Sequence, residues 1–476
     1  MKILKKILKF ILALLGLICI AVLIILWVDA LGTDYLNISK NDPKANNSYV
    51  ITNANIIPMN QDTVLVNKMV YIKDGIINNI ADTMAIKGVQ VFDAKHKFLT
   101  PGLIDMHVHV WDRYELGLYL SNGVTTVRNL WGMPMHLRIK EDIINEQILS
   151  PTFITTGPKL TGTVFIGDDN VNLTNVAEAK EKIIGYKNRG YDLIKTYYGL
   201  DKDLFDAVIE QAKISEMDIV AHPSQKVPFS YHLNPQIKSI EHAEEIVQQP
   251  LKFDLDTTKL QTIINAISKS KHTRYSPTLT VFNNIYQMML NDSILDSESM
   301  GYINPLIKKV DSNKQFDRWF NAKQNDTAVV GNIKNQHDFH SIIVQKLHEA
   351  GVDIICGTDA GIGVTLPGFA IHNELNFYKE AGLSNYEVLK TATVNASKTH
   401  EIMTAMGTIE PGKIANLLVV EKNPLLNLAT LKKPTYVFIN GRKLNRKTLD
   451  GFNEKAIQRQ NLMATAIRYL EHLIIE

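Results

Sequence analysis

The chain contains a His-x-His pair, His107 and His109, at the end of the apolar run Leu103-Ile104-Asp105-Met106-His107-Val108-His109. A Pro-Gly turn at Pro101-Gly102 precedes the run, which reads as a strand. Residues i and i+2 of a strand share a face, so the two imidazoles project side by side, as two ligands of one cation would. Asp105 falls on the same face one step lower. Four other runs end in groups of the same chemical kind. Leu193-Ile194-Lys195-Thr196-Tyr197 carries a lysine inside an apolar strand, Val220-Ala221-His222-Pro223 and Ile240-Glu241-His242 end in histidine, and Cys356-Gly357-Thr358-Asp359-Ala360-Gly361 offers a carboxylate. A single strand-end histidine is more often a core residue than a ligand. Six such groups on five strand ends are hard to assign to packing.

Strand and helix signals alternate through the central region, which predicts a parallel sheet with helical crossovers. Eight strands are expected: 103–109, 125–130, 153–157, 193–198, 219–222, 239–242, 275–279 and 354–359. Helices over 175–189 and 204–216 fit between them. Eight such units in about 300 residues match a (β/α)₈ barrel, which builds its site at the C-terminal strand ends. The barrel is expected over 99–404, with a polar, helix-prone insertion at 283–345 that follows the seventh strand and is placed to cover the mouth.

Short strands and hairpin signals occur on both sides of this region. Met69-Val70-Tyr71-Ile72 is followed by Asp74-Gly75, and Tyr436-Val437-Phe438-Ile439 by Asn440-Gly441. A small composite β-sandwich is therefore expected from 49–98 and 405–445. The tail 446–476 reads as helical, with Leu462, Ile467, Leu470 and Ile474 at near-helical spacing, as in a packing helix.

A chain of 476 residues with 45% hydrophobic and 21% charged residues has material for a large core. A net charge of +2 provides no field for nucleic acid. Two cysteines, Cys19 and Cys356, suggest neither a disulfide framework nor a cysteine zinc cage. Lys2, Lys5, Lys6 and Lys9 precede an uncharged stretch from Phe10 to Val28, close to the ~20 residues that span a bilayer. Residues 1–30 therefore read as a membrane anchor or signal, with 31–48 as a linker. The positive-inside rule keeps the lysines cytoplasmic and puts the body outside, tethered, or secreted if the segment is cleaved.

His107, His109, Lys195, His222, His242 and Asp359, taken in order, resemble the metal-binding positions of the amidohydrolase superfamily. The resemblance runs from about Tyr49 to Lys443 and includes Thr100-Pro101-Gly102-Leu103-Ile104-Asp105, Gly123-Val124-Thr125-Thr126-Val127-Arg128 and Gly407-Thr408-Ile409-Glu410-Pro411-Gly412-Lys413. Within the superfamily the chain is similar to the imidazolonepropionase-related group that includes metal-dependent Xaa-Pro dipeptidases, through Gly357-Thr358-Asp359-Ala360-Gly361 and His372-Asn373-Glu374-Leu375. Asn416 departs from that group, which usually has Asp there, and the 283–345 insertion departs as well.

The resemblance implies a hydrolase with two divalent ions, expected to be Zn²⁺, for which imidazoles and carboxylates are suitable ligands. A lysine cannot bridge two cations unless CO₂ converts it to a carbamate, so Lys195 is expected to be carboxylated and bridging. His107, His109 and Asp359 would complete one site, and His222 and His242 the other. Asp359 would also take the proton of the attacking water and pass it to the leaving amine. Arg128, Tyr198, Tyr231 and His372 are the expected substrate contacts. The expected reaction is cleavage of an amide bond in a small substrate, such as an Xaa-Pro dipeptide or an N-acyl amino acid. Deamination, or opening of a cyclic amide or lactone, would use the same centre. The alternative of another class is an inactive membrane-tethered binding protein.

Overall fold

The computed structural model of the chain describes residues 2–39, 48–162 and 170–475, so part of the expected linker lies outside the described residues. Seven parallel strands form most of the barrel wall: Leu103–Val108, Val124–Asn129, Thr152–Thr155, Leu193–Thr196, Asp218–Ala221, Ile237–Glu241 and Arg274–Ser276. The third and fourth are joined by a bridge between Thr156 and Leu193. The expected eighth strand, 354–359, is present as a hydrogen-bonded segment with only isolated bridges. Ile354 bridges Tyr275 on one side, and Ala360 bridges Val108 on the other. The Met106 amide donates to the Cys356 carbonyl at 2.8 Å, which closes the ring. The expected crossover helices occur at Val176–Arg189 and Lys202–Ile214, each started by a side-chain cap, Asn175 and Asp201 respectively.

The accessory unit is built from both ends of the chain, as expected. It is one continuous eight-stranded sheet in which Phe98–Pro101 pairs with both Tyr49–Ile56 and Leu417–Val420. That strand bonds the N-terminal and C-terminal halves on its two edges, and the sheet folds over so that the halves face one another: the Tyr49 and Phe438 rings, three strands apart in the order, stack at 5.8 Å, and the Tyr49 hydroxyl donates to the Gly441 carbonyl at 2.7 Å. Both expected hairpin turns form. Asp74 and Gly75, like Asn440 and Gly441, have positive φ at both turn positions, as a tight two-residue turn requires. The two tips abut, and a Cβ on Gly75 would lie 2.6 Å from the Asn440 carbonyl oxygen. Phe98–Pro101 then runs through Gly102 directly into the first barrel strand, so the sheet fixes the position of the His-x-His strand.

Segment 283–345 is helical in large part and packs over the mouth. Met288, Met300, Ile303 and Ile307 form an apolar cluster with Trp111 and Trp131, which follow the first two strands. Asp112 organises this region. Its carboxylate accepts from Asn304 (2.6 Å), Arg459 (2.9 Å) and Asn461 (2.9 Å), tying the first strand end to the insertion and to the C-terminal segment.

The tail forms two helices, Arg446–Ile457 and Leu462–Ile475. The second packs on the body as expected, but through Ala464, Thr465 and His472, while Leu470 and Ile474 of the expected stripe are exposed. The N-terminal helix, Lys2–Gly32, is apolar and long enough to cross a membrane, and its apolar window is not buried against the body. The chain that follows it is docked. Leu36 is fully buried, and Ile38 pairs with Gln147 through its backbone.

Candidate metal centre

The strand ends bring the six expected ligands to one mouth. His107 and His109 point their Nε2 atoms at the same oxygen, Asp359 Oδ1, at 3.2 and 2.7 Å. The His242 ring lies 4.8 Å from His107 and 4.7 Å from His222, centroid to centroid. One ligand atom each from His107, His242 and Asp359 lies within 4.8 Å of the others. Lys195 stands on the fourth strand, fully buried, and its Nζ has no hydrogen-bond partner among the described residues. Burial lowers this amine to about 8, with Glu241 and Asp359 opposing the shift.

The donor set suits a cation. His107 Nδ1 is 2.8 Å from Glu241 Oε2, whose carboxyl is held well below the usual range, chiefly by Arg128 and His107, against a large cost of burial. An ionised carboxylate there accepts the hydrogen bond from Nδ1–H, which leaves the lone pair on Nε2. That lone pair faces the Asp359 oxygen, also an acceptor, inside the protein. Two buried acceptors pointed at one another are stabilised by a positive charge between them. His242 fits the same pattern: its Nδ1 lies 2.8 Å from Thr278 Oγ1, leaving Nε2 for a ligand role. Burial lowers His109, His222 and His242, which favours the neutral imidazole a metal needs.

The backbone is strained at the same place. His242, Thr278 and Asp359 have φ of 71°, 51° and 57°, a region that residues with a Cβ seldom occupy. Asp105 braces it from below by joining the first and eighth strands, accepting from the Thr358 hydroxyl at 2.7 Å and from the Thr358 amide at 3.1 Å. Burial raises its carboxyl to about 7.

The expected substrate contacts separate. Tyr198 stays at the site: its ring is 4.3 Å from His222, and its hydroxyl donates to Glu245 Oε1 at 3.0 Å. Tyr231 packs beside Phe205, 6.3 Å between rings, near the start of helix Lys202–Ile214. Arg128 requires correction. It is fully buried inside the barrel, and its donors are engaged by Met106 O, Ser239 Oγ and Glu241 Oε1 at 2.6, 2.9 and 2.8 Å. His372 also requires correction: it is buried and bonded to the Asn122 carbonyl at 3.0 Å, beside a cleft lined by Lys432, Arg446 and Asp450.

Sequence reasoning missed Glu241, Glu245 and Lys159. Glu241 sits directly before His242, and a carboxylate inside an apolar strand was the available signal. Glu245 lies 3.0 Å from His222 Nε2. Lys159 is buried, with its ammonium 4.9 Å from the Tyr197 ring centre, and its charge is among those that lower His109 and Lys195.

The model of a family described as the amidohydrolase family matches residues 98–444. The dihydroorotase of Listeria welshimeri is 42% identical over 62 residues, 13% of this chain and 14% of that enzyme. The chain thus matches only about a seventh of the dihydroorotases' length. The 5-methylthioadenosine/S-adenosylhomocysteine deaminase of Acetivibrio thermocellus is 25% identical over 415 residues, 78% of this chain and 85% of that one. Among solved structures, a bottromycin amidohydrolase matches with TM-score 0.70 at 21% identity, covering 88% of this chain and 94% of that one. A Xaa-Pro dipeptidase with methionine bound in its active site matches with TM-score 0.63 at 19% identity, covering 84% and 100%. These structural likenesses concern the fold.

Proposed function

This chain belongs to the amidohydrolase family, and from that premise we propose that it hydrolyses the amide bond of a small N-acyl amino acid or Xaa-Pro dipeptide. The observation that carries the reading is the gathering of four imidazoles, Asp359 and the Lys195 amine at one barrel mouth. His107, His109 and Asp359 would hold one divalent ion and His222 and His242 a second, with Lys195, as a carbamate, between them. Two zinc ions in such a site, when bound, activate water and polarise a carbonyl.

The chain's own groups supply the rest. Asp359, buried at the strand end beside the His107 and His109 rings, is the carboxylate placed to take the proton of the attacking water. It then returns that proton to the departing amine nitrogen. Lys159 is the cation suited to the substrate carboxylate. The apolar cluster of Trp111, Trp131, Met133 and Met288 above the site favours an apolar acyl group. Helix Lys2–Gly32 would anchor the protein, with its lysine flank cytoplasmic and the barrel on the other side.

Deamination or opening of a cyclic amide is the second reading, and the similarity to the Acetivibrio deaminase supports it. The test is a panel of N-acyl amino acids, Xaa-Pro dipeptides, lactones, cyclic amides and adenosine derivatives, assayed with Zn²⁺ and with a chelator. Chelator-sensitive release of a free amino acid supports the proposal. Ammonia release without amino acid would replace it with the deaminase reading.

A further inference from the structure

We propose that the C-terminal helix Leu462–Ile475 lies in the lipid interface beside the N-terminal helix and holds the rim of the barrel mouth against the bilayer. This rests on the proposed membrane insertion of Lys2–Gly32, and the experiment below separates the failure of one from the failure of the other.

Among the described residues, nothing covers the apolar outer side of the C-terminal helix. Met463, Leu470 and Ile474 are 57%, 56% and 84% exposed. With Ile467 they fall at i, i+4, i+7 and i+11, a single stripe along the helix. Leu473 and Ile475 widen it at the C-terminal end. The opposite side faces protein, with the Tyr469 and His472 rings 6.2 and 6.0 Å from Trp131. Water is a poor solvent for such a stripe, and an interfacial helix buries this kind of face in the headgroup and acyl boundary.

Continuity with the N-terminal helix selects the bilayer as the occupant. The Asp29 carboxylate of that helix pairs with Arg468 at 2.6 Å, and its side chain is only 3% exposed. A cleft of about 490 Å³ between the two helices is lined by Ile24, Ile25 and Val28 on one wall and by Met463 and Ala464 on the other. Leu36 and Ile38, docked on the barrel, close off the swivel that a free linker would allow. A medium that covers Ile24 to Val28 therefore reaches Met463. Trp27, 62% exposed, stands at the end of the apolar stretch, where indole rings favour the headgroup layer. Trp131 in turn lies 6.4 Å from the His109 ring. One helix thus separates the lipid surface from the wall of the metal centre, and the mouth is presented to molecules that partition into the membrane.

The test uses the full chain in vesicles of phosphatidylcholine and phosphatidylglycerol on a Cys19→Ser background, in which buried Cys356 remains. Leu470→Cys and Ile474→Cys each receive an environment-sensitive fluorophore, and lipids brominated at shallow or deep positions act as quenchers. Leu12→Cys, within the apolar stretch, and Leu426→Cys, 79% exposed near the accessory sheet, are the references. The proposal expects shallow quenching at 470 and 474, deep quenching at 12 and none at 426. Quenching at 12 with 470 and 474 behaving like 426 leaves the anchor standing and overturns the contact. No quenching at 12 overturns both. Unquenched 474 labels that crosslink between copies would assign the stripe to a second chain and overturn the contact.

Discussion

His107 Nδ1 and Glu241 Oε2 lie 2.8 Å apart, both fully buried, and Arg128 grips the other Glu241 oxygen at 2.8 Å. This pair turns the His107 lone pair toward Asp359. Glu241→Gln keeps the shape and removes the charge that fixes the tautomer. Metal affinity is expected to weaken about 10–100-fold, the usual cost of losing such a partner. Equilibrium dialysis against buffered Zn²⁺ measures it, and an unchanged affinity would reduce Glu241 to a packing residue.

Several histidines are buried neutral away from the metal ligands, and they set an acid limit on stability. Burial is the first cause in each case, lowering His136 and His340 to about 3 and His372 and His400 to about 4. A folded value below the unfolded ~6.5 means the unfolded chain binds more protons as pH falls. Their contribution is complete above pH ~6.5 and is lost progressively below it, by up to about 1.4 kcal/mol per group per pH unit. The melting temperature is therefore expected to fall steeply between pH 6.5 and 4.5. His340→Phe, in a pocket where that ring already meets Phe282 at 4.6 Å, should flatten the slope by one group's share.

The node at Asp112 holds the mouth cover in place. Arg459→Ala would leave the Asp112 carboxylate buried without its ion-pair partner, at about 3–5 kcal/mol. The double change Asp112→Asn with Arg459→Gln should recover much of that loss. Thermal unfolding of the three variants checks it. A full-strength single variant would show that the node does not carry the cover.

Much of this architecture could be read from the residues, and the failures have physical causes. His107-x-His109 and the Pro-Gly turn located the first strand because a two-residue period fixes a face. The eighth strand was legible, although only bridges at Ile354 and Ala360 represent it as ladder. Arg128 was placed at the correct strand end, but periodicity gives the face and not the depth. Ser239, Glu241 and the Met106 carbonyl, distant in sequence, determine where its guanidinium points. Leu470 and Ile474 show the same limit: their spacing identified a stripe and could not say whether protein covers it.

Lys159 separates substrate classes. Lys159→Met is expected to raise KM for substrates with a free α-carboxylate about tenfold or more, the scale of one charge-assisted hydrogen bond. The amidated forms of the same substrates should be nearly unaffected. Steady-state kinetics on both sets decides it, and equal losses on the two would remove Lys159 from carboxylate recognition.

The central claim is a pair of ions bridged through Lys195. Anomalous diffraction from Zn²⁺-loaded crystals, grown with bicarbonate, tests it most directly. The account predicts two metal peaks per chain, one by His107, His109 and Asp359 and one by His222 and His242, with carbamate density on Lys195 between them. Lys195→Ala should lose at least one peak. A single peak, or two peaks beside a bare Lys195 amine, would contradict the account.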